Sequence, residues 1–441
     1  MNRDMQTGGA KKEKINIVTL GCSKNVVDSE YLMKQIEANH LIIRHNDESF
    51  GAKTVIINTC GFIKDAKQES IDTILRFIRA KEDGLINKVY VMGCLSERYK
   101  KDLENEISDV DKYFGVNDLE QIIKHLGLNY KQSLLGERLL TTPRHYAFLK
   151  VSEGCDRKCS FCAIPLIRGR HQSKPLENLV EETRRLAQQG VKELILIAQD
   201  LTSYGLDIYG RQALPELLRA LSGIGGLEWI RLHYAYPAGF PREVIKVMKE
   251  RDNICKYLDI PFQHNSDVVL RKMRRGHGQR QNHELIDYLR HEIPDIALRT
   301  TVITGHPGES EKEFKELLHF VESMEFDRLG VFTYSEEEDT WAARMMKDRI
   351  PEKVKKERAD ELMLLQQSIS KRLNLKKLNR SFKVLIDGRE GEYHIGRTEF
   401  DSPEVDNEVL ISSATKKLVP GNFYTVRITG AEEFDLYGEA I

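Results

Sequence analysis

The 441-residue chain has no uninterrupted apolar run approaching the ~18 residues of a membrane span, so no membrane partner is expected. Its opening, MNRDMQTGGAKKEK, is polar and lacks the apolar core of a secretory leader. Residues 1–13 read as a disordered tail, and the chain reads as cytoplasmic. Charge of one sign is lacking too: 67 Lys and Arg stand against 68 Asp and Glu, a net −1. That removes any global electrostatic reason to expect a polyanion partner. There is no repeat of solenoid length, no low-complexity tract, no P-loop and no Ser/His/Asp signature. Cysteines number seven: Cys22, Cys60, Cys94, Cys155, Cys159, Cys162 and Cys255. The odd count argues against a fully paired disulfide framework, and clustered thiols in a reducing compartment point to metal or catalysis.

What is present is a soluble composition, 40% hydrophobic and 31% charged. At roughly 100–200 residues per domain the length predicts two to four domains. Over 14–140, INIVTL, TVIINT and KVYVMG are apolar at nearly every position, as parallel strands buried on both faces are. Helical patterns such as DSEYLMKQIEA and AKQESIDTILRFIRAKEDG separate them, so the expectation is an open parallel-sheet α/β domain. Residues 141–375 hold six more strand candidates, YAFLKVS, ELILIAQ, EWIRLHYA, KYLDIPF, ALRTTVITG and RLGVFTYS, alternating with helical patterns. They predict an open (β/α)6 barrel, about three-quarters of the eight-unit barrel, with a wide lateral mouth. A charged helical run from Pro351 ends this region. Residues 376–441 change to short alternating strands broken by DG, PG and TG, the pattern of a small antiparallel β-barrel.

Two sets of three cysteines carry the chemistry. Cys155, Cys159 and Cys162 lie in SEGCDRKCSFCAIP, just after the first barrel strand, and barrel active sites sit at the C-terminal ends of strands. Three thiolates within eight residues can wrap one face of a cuboidal iron–sulfur cluster and leave one iron open. Zinc is the alternative, although structural zinc needs four ligands and no fourth cysteine or histidine lies close in sequence. Cys22, Cys60 and Cys94 each end an apolar run beside a glycine: Gly21, Gly61 and Gly93. Adjacent parallel strands would bring all three to one sheet edge, where ligands bind in open α/β folds. Taken singly, each would be read as a packed core thiol. Cys255 sits at the wrong end of its strand for the site and reads as a packed thiol. The five basic residues of RKMRRGHGQR, 271–280, read as a solvated loop.

The CxxxCxxC loop, with Phe161 before its last cysteine, followed by βα units, resembles the radical S-adenosylmethionine (SAM) superfamily. That resemblance implies a 4Fe–4S cluster whose open iron holds the cofactor's amino and carboxylate groups. An electron from the reduced cluster then cleaves the cofactor to methionine and a 5′-deoxyadenosyl radical. It also implies cofactor contacts from Phe161, Gln199, Arg231, Ile303 and Gly305, the last two in ITGHPGE. With its three-part order the chain resembles the methylthiotransferases, which end in a TRAM barrel. Within them it is similar to the RimO family through LGCSKNVVDSE, NTCGFIKDAKQES, GCLSERY, EGCDRKCSFCAIPLIRGRHQS and IPFQHNSDVVLRKMRRG. Those enzymes methylthiolate the β-carbon of an aspartate in the twelfth protein of the small ribosomal subunit. The resemblance implies a second 4Fe–4S cluster on Cys22, Cys60 and Cys94 that carries sulfur. It also implies SAM as cofactor, and a small-subunit ribosomal protein, or the ribosomal subunit, as partner. A sulfur donor and an electron donor are further partners that the sequence does not identify. Two other readings stand beside this one: a tRNA adenosine methylthiotransferase of the MiaB type, and a non-enzymatic iron–sulfur electron carrier. From Leu378 to Ile441, seven basic residues face twelve acidic ones, a balance of −5. An acidic barrel suits a basic protein partner more than a nucleic acid, which is not expected as the substrate.

Overall fold

A computed structural model of the protein describes residues 14–414 and 417–441. The tail expected at 1–13 lies outside them. Among the described residues no helix is long and apolar enough to cross a membrane. The chain divides after Thr141 into two compact units.

The first unit is a parallel sheet of β1 (Lys14–Thr19), β2 (Ile42–His45), β3 (Thr54–Thr59), β4 (Lys88–Gly93) and β5 (Lys112–Tyr113), ordered β2-β1-β3-β4-β5. The three apolar runs form the centre. Alternation within them feeds two cores, one on each face. Ile15, Ile17 and Ile56 pack against Leu32, Met33, Ile36 and Ile122. Val55, Ile57 and Val89 pack against Ile74, Phe77 and Leu103. The edge strands β2 and β5 were not legible, because β2 alternates exposed and half-buried residues and β5 is two residues long.

The second unit opens with β6 (Tyr146–Lys150) and a short ribbon of β7 (Ser152–Glu153) and β8 (Gln172–Ser173). It continues with β9 (Glu193–Ile197), β10 (Trp229–Leu232), β11 (Ile254–Asp259), β12 (Ala297–Thr304) and β13 (Arg328–Thr333). The large sheet runs β13-β12-β11-β10-β9-β6 with every pair parallel. All six expected strands are present, and β6 and β13 are its edges. A helix over Glu352–Leu375 follows.

The C-terminal barrel closes as β14 (Ser381–Glu390), β15 (Tyr393–Arg397), β16 (Val409–Ser412), β18 (Leu436–Ala440) and β17 (Phe423–Ala431). Val384, Ile386, Val409, Ile411, Val426, Ile428 and Leu436 fill it. The expectation of an antiparallel barrel needs one correction: β16 and β18 run parallel. Strand directions cannot alternate all the way round a closed ring of five, so one pair must be parallel.

This barrel is not a separate body. The segment between β15 and β16 packs onto the six-stranded sheet. Arg328, which opens β13, donates to Asp401; Arg299 and Tyr257 each donate to Asp406 at 2.8 Å; and Tyr146, which opens β6, donates to Glu404 at 2.9 Å. Asp387 accepts from Arg397 at 2.6 Å and pairs with His145 at 2.8 Å. Much of the acidic excess read as a surface for a basic partner is therefore matched inside the chain. The sign of a summed charge does not say which way the carboxylates point.

Candidate functional site

Cys22, Cys60 and Cys94 lie at the C-terminal ends of β1, β3 and β4, which are neighbours in the sheet. Cys22 caps the helix Ser23–Glu37, and its carbonyl accepts from the backbone of Asn25 at 2.9 Å. Cys94 begins the helix Cys94–Glu106, and Cys60 precedes the helix that starts at Lys64. Helix N-termini present unpaired N–H groups and favour negative charge, which suits thiolate ligands. Asn25 ties the strand ends together: its amide donates to Leu20 O at 2.8 Å and Thr59 O at 3.1 Å. Its Oδ1 lies 3.8 Å from Cys94 Sγ. The neighbouring glycines allow strand ends to cross closely. A methyl at Gly93, where φ is 101°, would lie 2.4 Å from Asn58 Oδ1 and 2.6 Å from Thr59 O. A methyl at Gly21 would lie 3.0 Å from Cys60 Sγ, and one at Gly61 2.7 Å from Leu95 N. So the glycines clear space for neighbouring backbone and for the Asn58 and Cys60 side chains.

Cys155, Cys159 and Cys162 occupy the loop that leaves β7. Burial pushes the Cys155 thiol up to about 11 and the Cys162 thiol up to about 12. Ligation has to remove those protons, as any thiolate–metal bond does. Cys159 Sγ accepts from Arg275 Nη1 at 3.4 Å and lies 3.9 Å from the Tyr236 hydroxyl. Arg157 and Arg275 both stack on the Tyr236 ring, at 4.0 and 4.2 Å. Arg157 also pairs with the buried Asp200 at 2.7 Å.

Four of the five expected cofactor contacts gather near this loop. Gln199, past the end of β9, donates to Glu153 Oε1 at 2.6 Å, and its own Oε1 is buried with no partner among the described residues. Burial alone would raise the Glu153 carboxyl, but Lys150 and Arg168 outweigh it and hold the group well below the usual range. Phe161 meets His306 edge to face at 6.2 Å, and His306 lies 3.3 Å from Ser160 Oγ. Ile303 and Gly305 flank Thr304, the last residue of β12, just before that histidine. Gly305 receives the Lys355 stem, 2.2 Å from where a methyl would stand. The fifth, Arg231, is corrected. It is fully buried, donates to Glu193 at 2.7 Å and to Glu399 O at 2.7 Å, and belongs to the contact with the C-terminal barrel. An arginine inside a strand of the right sheet cannot be assigned to either end of it from sequence. Cys255 is 1% exposed and packs with Trp229, Tyr257, Ala297 and Leu385.

Sequence reasoning missed Arg275 and His277 by reading their loop as solvated. Both are buried, at 5% and 8% exposure. Burial, with help from Arg275, pushes the His277 imidazole down to about 3. The glycines in RRGHG were the available signal, since they let that loop fold inward.

The donor chemistry fits a cluster. Among the described residues no three His, Cys, Asp or Glu side chains are gathered closely enough to hold one metal ion. Tetrahedral zinc with ~2.3 Å bonds to sulfur would draw its thiolates to within about 4 Å of one another. A cuboidal cluster would instead take each cysteine at a different iron, which needs three thiols and no fourth residue.

A parallel six-stranded sheet with a CxxxCxxC loop at its C-terminal end defines a class, and the radical SAM superfamily model matches residues 149–321. Residues 14–115 match the uncharacterized protein family UPF0004, and residues 380–441 match the TRAM domain. A radical SAM methyltransferase, TsrM from Kitasatospora setae, solved with cobalamin and a [4Fe-4S] cluster bound, shares the fold at a TM-score of 0.53 and 15% identity, over 73% of this chain and 75% of its own. The ribosomal protein uS12 methylthiotransferase RimO of Cytophaga hutchinsonii is 56% identical over 99% of this chain and 100% of its own. The RimO proteins of Phocaeicola vulgatus and Porphyromonas gingivalis are 54% and 53% identical, each over 98% of this chain. The chain belongs to the RimO family of uS12 methylthiotransferases. Membership sets aside the tRNA and electron-carrier readings.

Proposed function

We propose that this protein methylthiolates ribosomal protein uS12 at the β-carbon of an aspartate, in the cytoplasm, using two 4Fe–4S clusters and SAM. Cys155, Cys159 and Cys162 would hold the cluster that binds SAM, and Cys22, Cys60 and Cys94 the cluster that carries sulfur. When bound, these groups supply an organic radical and a transferable methylthio group, because an unactivated C–H bond cannot readily be substituted by acid–base chemistry. The chain's own task is to bind, orient and shield. Asp200 fixes Arg157 over Tyr236, and Glu153 fixes the Gln199 amide. Those pairs leave the partnerless Gln199 Oε1 for a donor such as the cofactor's amino group. Phe161, Ile303 and Gly305 supply an apolar wall and backbone groups for its adenosyl end.

What supports the reading is that Cys22, Cys60 and Cys94 follow the neighbouring parallel strands β1, β3 and β4, while Cys155, Cys159 and Cys162 share the loop after β7. The test is to incubate the anaerobically reconstituted protein with SAM, a reductant and a sulfide source, offering either uS12 or tRNA. The expected result is a uS12 aspartate heavier by one methylthio group. Modified tRNA with unmodified uS12 would sink the proposal.

A further inference from the structure

Arg275 is a buried cation without a carboxylate. Its Nη1 donates to Cys159 Sγ at 3.4 Å and its Nη2 to Pro261 O at 2.5 Å, and its plane lies on the Tyr236 ring. Among the described residues its Nε has no partner. Asp200, the carboxylate of this part of the site, is occupied by Arg157. Among the described residues no carboxylate lies within ion-pair distance of Arg275. A buried guanidinium is costly unless an anion answers it. The anion its geometry offers is the Cys159 sulfur, which becomes a thiolate on ligation. Arg274, next in the chain, is exposed and lies over Trp341.

We propose that Arg275 is a positioning residue that balances the charge at Cys159 and raises the reduction potential of the barrel cluster. This rests on the reading that Cys155, Cys159 and Cys162 hold a 4Fe–4S cluster. Reduction of that cluster from its 2+ to its 1+ state takes one electron from a low-potential donor (dithionite in the test below). It adds one negative charge beside the guanidinium, which keeps its proton. Hydrogen bonds and net charge around the sulfurs are what set such potentials. Arg275 therefore favours the reduced state.

The test uses full-length protein carrying Cys22→Ala, Cys60→Ala and Cys94→Ala, so that only the barrel cluster is present. Iron content and an EPR-monitored potentiometric titration with dithionite are the readouts. Arg275→Met should retain iron and lower the reduced-to-oxidised ratio at a fixed potential about tenfold, which is about 59 mV for a one-electron couple. Arg275→Lys keeps the charge and should shift less, and Arg274→Met should match the parent. A parent-like potential in Arg275→Met overturns the proposal. If Arg275→Met loses its iron, Arg275→Lys decides: retained iron supports the charge role, and lost iron means that Arg275 only packs. A parent that holds no iron sinks the cluster reading before Arg275 is touched, so the two failures are distinguishable.

Discussion

The two cysteine trios reach similar ends by different routes. Cys155, Cys159 and Cys162 come from one loop, and a single turn of chain after β7 sets their spacing. Cys22, Cys60 and Cys94 come from three strand ends, and only the parallel order β1-β3-β4 makes them neighbours. The surroundings differ as well. Arginine, tyrosine and a buried aspartate crowd the loop trio. The strand-end trio is organised by Asn25, by helix N-termini and by glycines that let backbones cross. A loop site depends on local sequence and tolerates change elsewhere, whereas a convergent site depends on the whole sheet.

Breaking either trio should have the largest effects. Replacing Cys155, Cys159 and Cys162 with Ala should abolish both SAM cleavage and methylthio transfer. Iron per chain should fall from about eight to about four, as loss of one of two four-iron clusters requires. Iron analysis and product chromatography check this, and a variant holding no iron while still folded would mean that the strand-end trio binds nothing by itself. The matching Cys22, Cys60 and Cys94 variant should lose transfer yet still cleave SAM on reduction. Loss of cleavage with the barrel iron intact would show that the trios are not separable.

A smaller change tests whether the loop trio is insulated from the far end of its sheet. Asp401→Asn strips Arg328 of its buried partner and should destabilise the second unit by about 3–5 kcal/mol, measured by denaturant unfolding. Iron at Cys155, Cys159 and Cys162 should be unchanged in the folded protein. Burial alone would raise the Asp401 carboxyl, but Arg328 and Lys377 hold it below its ordinary value. Its contribution is therefore present above the unfolded pKa, about 3.9, and is lost as pH falls through the lower folded pKa. Acid unfolding below about pH 4 should show that loss in the parent and lack it in Asp401→Asn.

The smallest expected effect sharpens the contrast from the other side. Gly93→Ala forces a side chain into a left-handed position against Asn58 and Thr59, at a cost of about 1–3 kcal/mol. Only the strand-end trio should respond, with weaker iron retention there and unaltered SAM cleavage. A wild-type melting temperature and full iron would show that the strand ends need not approach so closely.

By itself the sequence determined the strand runs, the three-part order, the CxxxCxxC loop and the pairing of each early cysteine with a glycine. Apolar periodicity and cysteine spacing are local, and local patterns survive in one dimension. It also made the convergence of Cys22, Cys60 and Cys94 inferable, since central parallel strands end on the same side. Only the tertiary structure decided which way charges face. It turned Arg275 and His277 inward from a loop that reads as solvated. It moved Arg231 to the opposite end of the sheet, against Glu193 and the C-terminal barrel. It directed Asp401 and Asp406 into arginines rather than toward a partner. A charged side chain is rarely buried unless an opposite charge meets it, and that partner often comes from a distant segment. That meeting depends on contacts such as Arg397 with Glu193, 204 residues away, and is not written in either neighbourhood alone.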